Sequence, residues 1–435
     1  MRRRTVKYAI YGAGKRGKIA FELLKKNDID VFVDQDDEKI GTTYCDVPVV
    51  SLNTLKDRKD DVLYIITPYK GTKEIILNLQ ENKITNYIKL QQIDIILTQC
   101  KQELEEKFFD FKEKSQIVIC GISITSLLIF DKLKEMKHYP IIAVENKEKL
   151  LFYSFLEKEY EIKLFDEVFD NCDVVIYLDS DLKAESLSKI KCKKNNINIR
   201  KVFEEQLKEC EQIQKFRNIH ANKRCFIVAT GPSLRVEDLE LLEKTNQICI
   251  SMNRIYNIFD KTTWRPTYYM IQDLKMIEDL KETIAELDLP VKFVSGAAHE
   301  YWELKESLDS IKFNYVNLIE MDKMPFFSEC VDKCIYEGMT VTYACLQMAA
   351  YMGFCEIYLL GLDHNYSNDL YACSNHFAGY DTDKKIRLNT VHIGQNELAY
   401  ISAREYAERN GIKIYNATRG GKLEVFERKD FDSLF

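Results

Sequence analysis

A chain of 435 residues is too long for one ordinary hydrophobic core and is expected to divide into about three domains of 100–200 residues. Charge is high but mixed, with a mild net charge of −7. Lys and Arg alternate with Asp and Glu along almost every helix-like run, which excludes a nucleic-acid-binding surface as the expected function. No run approaches the roughly 18 apolar residues of a membrane span. The thirteen cysteines are scattered and form no CxxC, so they read as reduced thiols of a cytoplasmic protein. Cys330 and Cys334 are spaced for one helix face.

The opening Met1-Arg-Arg-Arg is basic, but the apolar stretch after it is too short for a signal peptide and runs into a strand pattern. Lys7-Tyr-Ala-Ile-Tyr-Gly12-Ala-Gly14-Lys-Arg-Gly17 is a strand entering G-x-G-x-x-G, followed by a helix-like run over 18–26. Ile29-Asp-Val-Phe-Val-Asp34 is a second strand, ending in an acid about twenty residues past the glycines. In that context Gly12, Gly14, Gly17 and Asp34 form a dinucleotide-type fingerprint, with glycines for the tight turn and an acid for a ribose hydroxyl. Lys15 and Arg16 either neutralise a phosphate or form the solvated face of the helix. Phe32-Val-Asp-Gln-Asp, with Gly41 and Val47-Pro-Val-Val behind it, resembles the small N-terminal domain of bacterial sugar acyltransferases. That resemblance implies a nucleotide-sugar seat.

The next block repeats the first. Gly121 matches Gly12, Glu145 matches Asp34 and Asp173 matches Asp61, at offsets of 109, 111 and 112. An internal duplication of a Rossmann-like unit is expected. The second copy keeps only Gly121 of the fingerprint, with Ile122, Ser123 and Thr125 where open backbone would be wanted, so it is expected to serve as scaffold or interface. The domains are therefore expected at 1–97, 115–200 and 223–435, with polar helical connectors at 98–114 and 201–222.

The third block carries the chemistry. Cys225-Phe-Ile-Val-Ala-Thr-Gly-Pro-Ser-Leu234 is a buried parallel strand stopped at Gly231-Pro232, and Ser233 falls where a helix N-cap would sit. Free N–H groups and a helix dipole at such a turn make an anion site. Further buried strands end at Asn253-Arg254, Gln272-Asp273, Ser295-Gly296 and Asp363-His364. In an open parallel α/β sheet these endings converge on one crevice. Gly338-Met-Thr340-Val-Thr342 opens a small-residue helix closed by Gly353, a second helix start aimed at the same crevice. A polar loop of about thirty residues, carrying His376, Tyr380 and His392, has the length of a lid. A helix over 395–409, a strand over 412–416 and a turn at Ala417-Thr418-Arg-Gly-Gly421 close the chain.

Taken together, Thr230-Gly-Pro-Ser-Leu, Met252-Asn253, Pro266-x-Tyr-x-x-x-Gln-Asp273, Gly338-x-Thr-Val, Gly353-Phe-x-Glu-Ile-Tyr-Leu-x-Gly-Leu-Asp363 and Asn416-Ala-Thr-x-Gly-Gly resemble the MptE-like family over about two hundred residues. The same order occurs in archaeal 6-hydroxymethylpterin diphosphokinases, which use ATP and magnesium. It also occurs in bacterial CMP-sialic-acid sialyltransferases and the related Maf flagellin glycosyltransferases. The resemblance implies a fold of two Rossmann-like units followed by a doubly wound α/β transferase domain. It implies nucleotide contacts from Gly231, Pro232, Ser233 and Asn253, and phosphate or sugar-carboxylate contacts from Thr340 and Thr342. It also implies a general base at His392 or His376. Departures from the pattern at Asn253-Arg254 and Asp363-His364 add Arg254, Asp363 and His364 to the candidates.

A base for a sugar hydroxyl should titrate near neutrality, which suits His392 first and then His376 or His364. His138, His220 and His299 read as surface residues. Asp273 and Asp363 could share a Mg²⁺ bridging phosphates, or Asp273 could cap the following helix. Arg254 and Arg419 are candidate phosphate clamps, against ordinary salt bridges, and Thr418 belongs to the phosphate-side set. The expected function is a nucleotide-dependent transferase. A glycosyltransferase with a CMP-linked, nonulosonic-type donor for cell-surface glycan synthesis comes first. The alternatives are a magnesium-dependent diphosphokinase acting on a small alcohol, and a non-catalytic nucleotide-sugar-binding module. The expected partners are a nucleotide and a small-molecule or glycan acceptor, and a homo-oligomer is compatible with the sequence.

Overall fold

The structure is a computed structural model. It describes residues 7–24, 28–58, 62–68, 71–97, 101–108, 111–112, 115–157, 159–178, 182, 184–191, 195–296, 310–366, 376–377 and 392–435. The basic Met1–Arg4, His299 and Tyr380 lie outside these. Two compact units divide the chain, Met1–Gln206 and Leu207–Phe435.

The first unit holds two sheets. One contains β1 (Lys7–Tyr11), β2 (Ile29–Val33), β3 (Thr43–Tyr44), β4 (Val47–Val50), β5 (Val62–Ile66) and β6 (Tyr87–Lys89) in the order β3-β4-β2-β1-β5-β6. The other contains β7 (Ile117–Cys120), β8 (Ile141–Val144), β9 (Ile162–Leu164), β10 (Val174–Tyr177) and β11 (Asn196–Asn198) in the order β11-β10-β7-β8-β9. With the short antiparallel β3 set aside, both are the same all-parallel arrangement, the first strand central and the chain winding out to either side. The N–H of Gly12 donates to Val33 O (2.7 Å) and that of Gly121 to Ala143 O (2.9 Å), with both glycines at positive φ. The repeat therefore extends to the turn after each first strand.

The runs expected as connectors are packed structure. Residues 101–108 form a helix that buries Leu104 and Phe108. The helix Ile199–Gln206 buries Val202 and Phe203 in the first unit. Residues 207–222 belong to the second unit, where Ile213 is fully buried and Cys210 N–H donates to Asp332 O at 2.7 Å. The boundary is thus at Gln206/Leu207, not 222/223, because one face of this polar run is apolar.

The second unit is an eight-stranded parallel sheet of β12 (Arg224–Val228), β13 (Cys249–Met252), β14 (Tyr268–Ile271), β15 (Lys292–Ser295), β16 (Ile311–Phe313), β19 (Glu356–Leu360), β20 (Lys413–Asn416) and β21 (Glu427–Arg428). A separate pair is formed by β17 (Tyr315–Val316) and β18 (Ile335–Tyr336). The order β16-β15-β14-β13-β12-β19-β20-β21 shows the chain stepping outward from β12 and then crossing to its other side at β19. Alternation along β12 sends Cys225 and Ile227 into one apolar layer and Phe226 and Val228 into the other. Both faces are covered, as a doubly wound sheet requires. The first layer is filled by the helix Val341–Tyr351, whose small residues admit close packing and which is buried at nearly every position. Cys330 and Cys334 lie in turns rather than on a helix. The ten described cysteines are all free thiols. Among the described residues no helix is long and apolar enough to cross a membrane.

Candidate functional site

Reversal of winding direction places the crevice of an open α/β sheet beyond the carboxyl ends of the two strands at the switch, here β12 and β19. Gly231 lies there, its N–H donating to Gly361 O at 2.8 Å. A Cβ on Gly231 would overlap both that carbonyl oxygen and the Asp363 carboxylate. Asp363 Oδ2 accepts from the Ser233 N–H (3.2 Å) and the Ser233 hydroxyl (2.9 Å). Two expectations change accordingly. Ser233 is not a helix N-cap, because a turn closed by Leu234 N–H to Gly231 O precedes the helix, which starts at Val236 with Arg235 at the cap. The turn is also not an open anion seat. Pro232 has no N–H, and those of Gly231 and Ser233 are taken by a carbonyl and a carboxylate. What this turn presents to a ligand is Asp363, a group that accepts from ribose hydroxyls or amino groups.

The neighbouring strand ends contribute polar groups of a different kind. Asn253, after β13, has left-handed backbone (φ 52°), and Arg254 beside it is buried. Asp273 caps the helix Leu274–Glu286, accepting from Met276 N–H at 2.7 Å. Gln272 Oε1 and Ser295 Oγ are buried without hydrogen-bond partners among the described residues. Thr340 caps the helix Val341–Tyr351, accepting from Thr342 N–H at 3.4 Å. The Thr342 hydroxyl meets Met252 Sδ at 3.5 Å, which brings this helix start to the end of β13.

The histidines separate clearly. His376 Nδ1 is 3.2 Å from the Thr230 hydroxyl, and Phe377 N–H donates to Thr230 O, so this pair docks on the end of β12. His392 is the residue before the helix Ile393–Arg409, half-buried, and its carbonyl accepts from Asn396 N–H. His364 is buried, with left-handed backbone (φ 50°) and its ring edge-on to Tyr366 and Tyr400. Its Nε2 lies 3.4 Å from Glu397 Oε1, an ion-pair distance without hydrogen-bond geometry, and Nδ1 has no partner. Burial lowers the pKa of His364, with Glu397 opposing, so the ring is held neutral. His138 is buried against Phe111, and His220 bonds Tyr268 and stacks on Phe354; neither is the surface residue expected.

Sequence reasoning missed Glu397, Asn396 and Tyr400. The Tyr400 hydroxyl and Asn396 Oδ1 are buried without partners. Burial raises the Tyr400 pKa, while the hydroxyls of Thr340 and Thr342 adjoin it and pull the other way without reaching hydrogen-bond geometry. Each buried polar atom left unpaired costs about 1–3 kcal/mol, a penalty that calls for a bound water, a ligand or a catalytic role. The available signal was polar residues one turn apart, Asn396 and Tyr400, on a face that had to pack.

Other candidates have structural partners. The Thr418 hydroxyl accepts from Leu362 N–H, tying β19 to β20. Arg419 grips Asp238 and Asp432, the ion-pair alternative to a phosphate clamp. For magnesium, Asp273 and Asp363 each direct an oxygen at a main-chain N–H, and no group of three or more metal-ligating side chains converges among the described residues.

In the first unit, a Cβ on Gly17 would overlap the Gly12 carbonyl oxygen, so the glycine spacing serves close helix–turn packing; Gly14 is the N-cap. Asp34 Oδ2 accepts from Ala13 N–H at 2.8 Å, within the glycine loop itself, and from Lys39. Burial works against ionisation of Asp34, but the N–H groups of Asp36 and Ala13 and the Lys39 ammonium hold its pKa below the usual range. Arg16 does not face a phosphate; it bonds Thr67 O, Gln92 Oε1 and Leu90 O. The buried Asp94, from the helix Gln92–Leu97 of the first repeat, accepts from the Thr125 N–H and hydroxyl at the start of the helix Ile124–Glu135 in the second. An internal carboxylate thus occupies the place where a phosphate would bind.

Comparison with known proteins bears on the second unit above all. Residues 197–369 match the family model described as 6-hydroxymethylpterin diphosphokinase MptE-like. The MptE-like match contains the Gly231 turn, the Thr340 helix start and Asp363-His364. Among solved structures, a Maf glycosyltransferase from Magnetospirillum magneticum AMB-1 is similar at 13% identity and TM-score 0.36, over 78% of this chain and 63% of that one. The chain therefore spans under two thirds of that relative's length. Dipicolinate synthase, A chain, from Bacillus subtilis is similar at 14% identity and TM-score 0.19, over 42% of this chain and 76% of that one. Its counterpart from Bacillus halodurans shows 13% identity and TM-score 0.18, over 43% and 79%. Comparison with curated proteins gives no match.

Proposed function

We propose that the chain is a nucleotide-dependent transferase, and that it transfers a sugar from a CMP-linked, nonulosonic-type donor to a hydroxyl acceptor in cell-surface glycan synthesis. The MptE-like match supports a transferase. The observation that carries the finer reading is the join between Asp363 and Thr340. Asp363, held by Ser233, leads into His364, whose ring faces Tyr400, and Tyr400 abuts Thr340 and Thr342. A nucleoside rich in donor groups suits Asp363, and its phosphate suits the positive start of the helix Val341–Tyr351.

The base follows from the same geometry. Burial favours the neutral His364 ring, and Glu397, 3.4 Å from Nε2, favours the tautomer with its proton on that side, leaving the Nδ1 lone pair to take the acceptor's proton. As the acceptor oxygen bonds the anomeric carbon, the bond to the donor phosphate breaks and CMP leaves with its electron pair. The resemblance ranks His392 first; the carboxylate partner favours His364. His364→Asn should leave nucleotide affinity intact and lower turnover about 10²–10⁴-fold. A near-wild-type rate would move the role to His392 or His376. The compartment we propose is the cytoplasm, consistent with ten free thiols.

The matched family, described as 6-hydroxymethylpterin diphosphokinase MptE-like, favours a second reading, diphosphoryl transfer from ATP to a small alcohol. Calorimetry of the full chain with CMP, CDP, UDP, GDP and ATP, each with magnesium or EDTA, separates the two. Metal-independent CMP binding supports glycosyl transfer; ATP binding that requires magnesium supports the diphosphokinase.

A further inference from the structure

The unpaired groups at the start of the helix Ile393–Arg409 differ in kind from an anion seat. Tyr400, Asn396 and His364 have 0%, 2% and 4% of their surface exposed, and the Tyr400 hydroxyl, Asn396 Oδ1 and His364 Nδ1 have no hydrogen-bond partner among the described residues. Asn396 and Tyr400 are one helical turn apart and share a face. The Tyr400 and His364 ring centroids are 5.9 Å apart, and Glu397, next to Asn396, is 3.4 Å from His364 Nε2. The three residues are therefore neighbours.

Their chemistry restricts what can pair with all three. Asn396 Oδ1 only accepts. His364 Nδ1 accepts in the tautomer with the ring proton on Nε2, the side that Glu397 faces, and the Tyr400 hydroxyl both donates and accepts. A carboxylate or phosphate brings acceptors alone, leaving Asn396 and His364 facing lone pairs. An ammonium brings donors alone and carries a charge into a niche walled by Phe426 and Tyr366, where burial penalises it. A hydroxyl supplies a donor and an acceptor from one atom.

We propose that this niche binds neighbouring hydroxyls of an uncharged, sugar-like acceptor. Tyr400 donates to one oxygen, Asn396 accepts from a hydroxyl, and His364 Nδ1 faces the hydroxyl that reacts. The inference rests on the transferase reading of the crevice and adds the acceptor class and two specificity residues, Asn396 and Tyr400.

Saturation-transfer NMR on the full chain tests it, with and without CMP. The uncharged probes are methyl β-galactoside, methyl α-mannoside and glycerol; malonate and putrescine are the charged ones. At least one uncharged probe should bind, and Tyr400→Phe and Asn396→Leu should each weaken it tenfold or more, with CMP binding unchanged in Asn396→Leu. Tyr400→Phe removes an unpaired buried hydroxyl, so a purely structural role would leave probe binding unchanged and Tm equal or higher. Malonate or putrescine binding in place of the uncharged probes would overturn the proposal. So would uncharged-probe binding that neither variant alters, or none at all in a chain that binds CMP. Hydroxyl binding without CMP binding would uphold the niche and remove the CMP-donor reading instead.

Discussion

A single carboxylate decides how the β12 turn works. Asp363 reaches back across the switch point to the N–H and hydroxyl of Ser233 and fills the space that a Cβ on Gly231 would need. Ser233→Ala removes a charge-assisted hydrogen bond and should lower stability by about 1–3 kcal/mol, read from a urea midpoint. Gly231→Ala forces the turn apart and should lower stability by about 1–3 kcal/mol while abolishing nucleotide binding by calorimetry; unchanged affinity would take this crevice out of the mechanism. His364 adds a pH dependence. Its folded pKa lies below the ordinary 6.5, so the unfolded chain binds the extra proton first as pH falls. Stability is full above about pH 6.5 and is lost as pH drops through the lowered folded value. Urea midpoints measured from pH 8 to 5 should fall less steeply in His364→Asn than in wild type.

At the scale of elements, carboxylates from elsewhere in the fold occupy helix starts and loops that read as ligand sites. Asp94 fills the start of the helix Ile124–Glu135, and Asp34 closes on Ala13 in its own glycine loop. Asp94→Ala leaves the buried Thr125 N–H and hydroxyl without their acceptor and should cost about 1–3 kcal/mol, seen as an earlier unfolding step in the first unit with nucleotide binding unchanged. The strands were legible because both faces of a parallel sheet are buried, so each reads as an apolar run stopped by Gly, Asn or Asp. The repeat was legible because glycine and acid recur at one offset. What the sequence hid was long-range pairing. Nothing local shows that Ser233 serves Asp363, 130 residues on, rather than the helix beside it. Nor does anything local show that Arg16 reaches the segments after both β5 and β6. Nothing local singles out Tyr400, since only burial without a partner sets it apart.

At the scale of the whole molecule, the boundary between the units is a physical claim with a direct test. Residues 207–222 read as a polar connector because polar and charged side chains together outnumber apolar ones, yet the few apolar ones are placed to pack. Ile213 is fully buried, His220 bonds Tyr268 at 2.7 Å, and Arg217 pairs with Asp332 while lying over the Tyr351 ring. Removing a buried Ile and the partners of a buried carboxylate should cost several kcal/mol, since a core truncation alone costs about 2–5, and that is a large part of a domain's stability of about 5–15. A fragment of residues 207–435 should therefore melt cooperatively by circular dichroism and bind nucleotide as the full chain does. One starting at 223 should be unfolded or aggregated. If both fragments fold and bind equally, residues 207–222 are a linker, and the second unit begins at β12.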